Sequence, residues 1–497
     1  MKNQKRKLLV PIALAVSAAL AFGTTSVSAK AGSGAAKSAA TKCATPLNTA
    51  LDKKDGAGAG YLARAIACAK TNPMTATGTE VKIGFLNPEG PVINFPEYRI
   101  SAEAAVDFIN KELGGIGANP ATGKAGVPIK LEICKYNALV PAELGNCANT
   151  LAAKKPAVVF ASLAFGDAHI KIFQDTNTPV IVGTPIFPAD FISNGVYAIG
   201  AGGGCLGVHL GLVYFATQVL KKSRIALPWA ASAPGIFCFN DLEAKPLDIL
   251  AGKSRSGAAI TTTSKKKGTI KGLKYLPIAV PTSNPDVGAY ASQIMKFKPD
   301  VLIYSNQGNL CWDLMAKLQS LGWKAGKSFP IVFSGSCIDT KTMAKLGKKI
   351  TGLYTIGGLS ILDPDALTGA YKSDALTYAE KYAQYASDKA LGGTGFATQG
   401  FAAMMTLWQI ASEAITGGVV TGDDMVAILK TTNGHRAFGS TGLYCAKAIA
   451  PYVAVCATEV SASQWNGKAL KAVKTAQNFS GLALVGAGDA LRTSELK

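Results

Sequence analysis

Histidine is scarce in this chain, with three in 497 residues: His169, His209 and His435. None has an H-x-x-x-H partner, none of the ten cysteines falls in a C-x-x-C, and no G-x-S-x-G occurs. Those absences argue against a zinc centre, a dithiol redox centre and a hydrolase nucleophile elbow. Phosphate loops are missing too. Gly252-Lys253-Ser254 and Gly326-Lys327-Ser328 end like one, but Leu247 and Leu321 stand where its first glycine belongs. Gly202, Gly204 and Gly207 satisfy G-x-G-x-x-G, yet the next strand ends at Pro228-Trp229 without the acid a dinucleotide site requires. A glycine-rich crossover between two halves accounts for them better. No cofactor is expected.

Acids are also few, 31 against 51 basic residues, for a formal charge of +20. The lysines are scattered apart from Lys265-Lys266-Lys267, and no aromatic-basic interleaving marks a nucleic-acid surface. A solvated basic surface facing an anionic envelope is the simpler reading. After the amino terminus no apolar run of about 18 residues appears, so no internal membrane span is expected.

What is present begins with an export signal. Lys2, Lys5, Arg6 and Lys7 form a basic region, Leu8 to Ala21 an apolar one, and Val27-Ser28-Ala29 a small-x-small site. Cleavage after Ala29 takes four cations from +20 and leaves +16. The expected location is periplasmic or otherwise extracytoplasmic, without a lipid anchor, since Cys43 lies well beyond the apolar region. Export permits disulfides. Sequence neighbours pair Cys43 with Cys68, Cys134 with Cys147, Cys205 with Cys238, Cys311 with Cys337 and Cys445 with Cys456. Other connectivities, and a reduced pair, stay open at this stage.

Residues 30–79 read as a linker-like extension, in which Cys43, Cys68 and "YLARAIACA" can form a tied helical knob. From Val81 strands alternate with helices. Val81–Leu86 is followed by helix Glu97–Leu113, whose Ile100, Ala104, Phe108 and Ile109 share a stripe ended by Gly114-Gly115. Strands follow at 129–135, 157–161, 179–183 and 196–200, and a second run at 224–230, 273–279, 301–304, 331–333 and 354–357. Helices fall at 366–386, 398–415 and 422–431, then Gly442 to Trp465 reads as β and Lys471 onward as a loose tail. The alternation predicts an α/β protein of two doubly wound lobes with parallel-rich sheets.

The stretch "IGFLNPEGPVINFPEYRISAEAAVDFINKELGGI" resembles the first strand, Gly-Pro loop and helix of the branched-chain amino acid type (type I) periplasmic solute-binding proteins that serve ABC transporters. The strand–helix order is similar to about residue 465. The resemblance implies two lobes joined by a three-strand hinge: lobe 1 from 80–202 plus 362–440, lobe 2 from 203–361 plus 441–475, and a tail at 476–497. It also implies a monomer with a small-molecule ligand trapped in the interlobe cleft and an ABC permease as partner. Some relatives carry a disulfide where Cys134 and Cys147 stand. The ligand-binding expectations follow position by position. The turn from Asn87 to Pro91 shapes the cleft wall, and Phe95 takes the place of a covering aromatic. Ser162 and Phe165 lie in the loop after the third strand, with Ser162 as a donor. Thr184 is the best donor after the fourth. Trp229 walls the second lobe, the turn holding Asn306 and Gln307 faces the cleft, Ser336 follows a second-lobe strand, and Phe396 precedes the long helix.

One departure bears on the ligand. Amino-acid binders of the family hold the α-ammonium with an acid after a second-lobe strand. Here that stretch is Phe333-Ser334-Gly335-Ser336-Cys337, and the first acid is Asp339. A buried ammonium without a partner costs several kcal/mol by order of magnitude. Hydroxyls, amides and aromatics suit instead a neutral or anionic organic molecule. The expectation is a non-enzymatic solute receptor. The rivals are a ligand-sensing module for a membrane signalling partner and an exported hydrolase or oxidoreductase.

Overall fold

The computed structural model describes residues 61–252, 269–306, 308–358, 362–448 and 452–484. The export signal, Cys43, Lys253 to Lys267, Gln307 and the last residues of the tail lie outside that set.

The chain enters the first lobe with β1 (Val81–Pro88), β2 (Ile129–Tyr136), β3 (Val158–Ala161), β4 (Val180–Val182) and β5 (Val196–Ala198). These form a parallel sheet in the order β2-β1-β3-β4-β5. β1 and β3 are buried almost throughout, as strands covered on both faces must be. The chain then crosses to β6 (Arg224–Ala231), β7 (Lys274–Pro281), β8 (Val301–Tyr304), β9 (Ile331–Ser334) and β10 (Tyr354–Gly357). It returns to the first lobe for helices Gly369–Tyr385, Ala397–Ala414 and Gly422–Thr431 and the hairpin β11 (His435–Ala437) and β12 (Ser440–Leu443). A third crossing leads to β13 (Ser461–Trp465) and β14 (Leu470–Ala472), which complete the second sheet in the order β14-β13-β10-β9-β8-β6-β7. The fold is thus two parallel-rich α/β lobes linked by three crossings.

Each lobe has its own core. In the first, helix Pro96–Lys111 starts on a proline at its first turn and buries Tyr98, Ala102, Ala105 and Ile109. Its partner helix Ala397–Ala414 approaches at Gly400, where a Cβ would strike Tyr98 O and Ser101 Oγ. An ion pair is sealed beneath the hairpin. Arg436 Nη2 lies 2.5 Å from Asp374 Oδ1, and both side chains are 1% exposed. Asp374 Oδ2 also accepts from Gly439 N at 2.9 Å.

Four disulfides join Cys134–Cys147, Cys205–Cys238, Cys311–Cys337 and Cys445–Cys456, each between sequence neighbours. The fifth neighbour pair includes Cys43, outside the described residues.

Three sequence expectations change. Residues 61–79 follow the helical-knob alternative and not the linker reading: helix Tyr61–Ala69 is buried in the first core, with Tyr61 stacked on Trp408 at 5.0 Å. Apolar surface on one helical face decided this against an Ala/Gly-rich composition. Residues 471–484 are not a loose tail, because Phe479 bridges Val460 in backbone pairing and stacks on Tyr214 at 5.4 Å. The region read as β from Gly442 to Trp465 is strand only at its two ends, since the residues between form the third crossing. Segments Ala233–Phe239, Asn240–Ala244 and Lys245–Leu250, helical in the structure, were absent from the sequence reading.

Asp374→Ala leaves Arg436 buried without its counter-charge and is expected to cost about 3–5 kcal/mol in urea unfolding. Replacing both residues, Asp374→Ala with Arg436→Met, is expected to recover a large part of that loss.

Candidate functional site

Open α/β sheets bind ligands beyond the carboxyl ends of their strands. Here those ends face each other across the crossings. The first crossing is closely packed: Gly203 and Gly204 have φ of +58° and +55°, and a Cβ on either would strike Ala457 O or Pro185 O. Only glycine allows that backbone-to-backbone approach. The G-x-G-x-x-G stretch therefore serves the crossing.

An apolar cavity of about 670 Å³, measured out to its open mouth, lies between the lobes. Phe95, Phe165 and Phe396 line it from the first lobe and Trp229 from the second. The aromatics brace one another. Phe95 meets Phe396 edge-on at 5.3 Å and stacks with Phe165 at 6.4 Å, while Trp229 stacks on Phe239 at 4.6 Å. Asn306 and Ser336 contribute polar edges, and Thr184 with Gln399 lines an adjoining cavity. No Asp, Glu, Lys or Arg lines either cavity among the described residues.

Two predicted candidates are drawn out of the cleft. Asn87 and Ser162 are fully buried. Ser162 Oγ lies 3.0 Å from Leu86 O and 2.5 Å from Asn87 Oδ1, and Asn87 Nδ2 donates to Phe95 O at 2.9 Å. Their polar atoms fix the loop that carries Phe95, which corrects the reading of Ser162 as a ligand donor. Thr184 reaches the cavity, but its hydroxyl donates to Gln399 Oε1 at 2.6 Å. Ser336 donates to Asn306 O at 2.7 Å. Gln307 lies outside the described residues.

Asp339 stands at the cleft mouth and lines neither of these two cavities. It caps helix Thr340–Leu346, accepting from Lys341 N, Thr342 N and Thr342 Oγ1. Beside it the lobes touch through main chain at the mouth. Thr340 N donates to Gly393 O at 3.0 Å and Gly395 N to Ile338 O at 2.8 Å.

Glu97 lies at this mouth, with Oε1 3.4 Å from Phe396 N. Burial pushes its carboxyl up to about 7, against hydrogen bonds from its own backbone and from Phe396 that pull it down. His169 is fully buried and held down at about 4 by desolvation, and it lines neither cavity.

Sequence reasoning missed His209. The site expected from the sequence did not include it, but it lines both cavities, with Nδ1 2.8 Å from Glu243 Oε1. Cys205 and Cys238 stand beside it, the three potential ligand atoms within 4.8 Å of one another. The two sulfurs are joined in a disulfide and are not thiolates, so the cluster is a braced wall and not a metal site. The available signal was weak: a histidine four residues after one cysteine, and a glutamate five after its partner.

Two facing α/β lobes around an aromatic cleft define a hinged binding protein. A family model described as Periplasmic binding protein matches residues 80–451, and the chain belongs to that family. Its fold is similar to a leucine-binding protein from Thermotoga maritima, with TM-score 0.54 and 15% identity, covering 79% of this chain and 97% of that one. It is also similar to two solute-binding proteins from Rhodopseudomonas palustris. One, in complex with 3,4-dihydroxybenzoic acid, gives TM-score 0.56 and 13% identity, covering 81% of this chain and 96% of that one. The other, in complex with 4-hydroxybenzoate, gives 0.55 and 12%, covering 80% and 96%. No curated protein matches the chain. No described helix is long and apolar enough to cross a membrane.

Because folded Glu97 holds its proton more tightly than unfolded glutamate, its contribution to stability falls as pH rises from about 4.5 to about 7. Glu97→Gln removes that component, on the order of 3 kcal/mol across the window. The check is the difference between wild-type and variant unfolding free energies from pH 4 to 8, which should grow with pH in the variant's favour and then level off.

Proposed function

We propose that this chain is an exported solute receptor that closes on a small organic molecule with an apolar, ring-like body and presents it to an ABC permease. The observation that carries this reading is the cavity walled by aromatics from both lobes, with no charged carboxylate, ammonium or guanidinium side chain on its lining among the described residues. Such a site rewards apolar surface, and the carboxylates Glu97 and Asp339 line the adjoining mouth and not this cavity. Among structures of similar fold two hold benzoates and two are a leucine-binding protein and an isoleucine complex, so the aromatic walls, not the likeness, carry the choice of a ring-bearing ligand. Closure requires that the ligand bind the closed form better than the open one. Contacts from both lobes supply that difference. Among the described residues no hydrogen bond joins a lining hydroxyl to His209, and capture without chemical change is the reading proposed here.

Native mass spectrometry followed by thermal shift against 4-hydroxybenzoate, benzamide, short-chain acids and L-leucine tests the reading. Stabilisation by a ring compound is expected. Phe95→Ala and Trp229→Ala should each weaken that compound by about tenfold or more, the loss of an aromatic contact. Unchanged affinity in both variants would reject the cleft as the binding site.

A further inference from the structure

His209 occupies a helix, Gly204–Tyr214, that is apolar on every side. Its side chain is 10% exposed, and Nδ1 is spent on Glu243 Oε1 at 2.8 Å. Nε2 has no hydrogen-bond partner among the described residues, and the ring borders both interlobe cavities. Glu243 is 1% exposed, and its Oε2 is buried without a partner. The arrangement is a carboxylate-oriented imidazole turned toward a cleft, held on a wall that the Cys205–Cys238 disulfide ties together.

With Nδ1 held by Glu243 Oε1, Nε2 is the ring nitrogen left to a ligand, and the tautomer decides whether it donates or accepts. The cleft wall therefore presents one oriented imidazole nitrogen beside its aromatics.

We propose that His209, positioned by Glu243, is the polar anchor of the cleft, and that the ligand is a ring-bearing molecule whose carboxylate, amide or phenol group hydrogen-bonds Nε2. This rests on the reading of the cleft as a ligand site.

Isothermal titration calorimetry with the full mature chain, disulfides intact, uses 4-hydroxybenzoate, benzamide and L-leucine as probes. Wild type is expected to bind at least one ring probe and not L-leucine. His209→Phe should weaken the ring probe about 10- to 100-fold, the loss of one oriented hydrogen bond. His209→Gln, which restores a hydrogen-bonding group, should recover much of it. Glu243→Gln should weaken binding less than His209→Phe. Thermal unfolding of each variant separates these effects from misfolding. Because His209→Gln keeps a polar group of similar reach, it reports even where the phenylalanine variant does not fold. Wild-type affinity in both His209 variants, with Phe95→Ala still weakened, would overturn the anchor and leave the cleft reading standing. Wild-type affinity in all three would overturn both. L-leucine binding, or no binding of either ring probe, would overturn the ligand class.

Discussion

The main-chain contact at the first crossing is the constraint on which the rest of the molecule depends. Gly203 and Gly204 bring the chain against the carbonyls of Ala457 and Pro185. The first and third crossings therefore lie in direct contact, and the carboxyl ends of two separate sheets end up opposite one another. Any side chain at those positions would wedge the crossings apart. The cleft is a by-product of that apposition. Its walls include the loops following β1, β3, β4, β6, β7, β8 and β9, with His209 on the helix after the first crossing and Phe396 before the long first-lobe helix.

Those walls show a division between groups that build and groups that face inward. Asn87 and Ser162 spend their polar atoms on each other and on the backbone near Phe95. Thr184 and Gln399 form a second internal pair, and Ser336 and Asn306 a third. Each pair satisfies groups whose burial would otherwise be costly. The cavity surface is largely apolar, and its four aromatic rings are stiffened by edge-on and stacked contacts. Among the described residues no Asp, Glu, Lys or Arg stands on this lining, which fits the departure at Ser336.

Much of the architecture was legible because it obeys local rules. Buried strands read as apolar runs, helices carried their stripes, and Gly-Gly or proline marked the ends. Four cysteine pairs lay close enough in sequence for neighbour pairing to match the structure. The site was less legible, for a physical reason. Phe95, Phe165, Trp229 and Phe396 could be placed because each follows or precedes a readable element. The hydrogen-bond partners could not. Ser162 meets Asn87 across 75 residues and Thr184 meets Gln399 across 215, and no local pattern encodes either. His209 was hidden differently. Its helix is apolar all round and has no wet face to betray it, and Glu243 sits on a π-helical turn in a segment the sequence reading did not resolve.

The bonds that close the mouth, from Thr340 N to Gly393 O and from Gly395 N to Ile338 O, are made by the backbone alone. Side-chain drift in the cavity leaves them in place. On the proposed function, identity of the guest and duration of its stay would be governed by different parts of the molecule: the cavity lining would set which compound enters, and the mouth how long it remains. A lineage built on this frame can change its diet by exchanging a few wall residues while keeping the same rate of release.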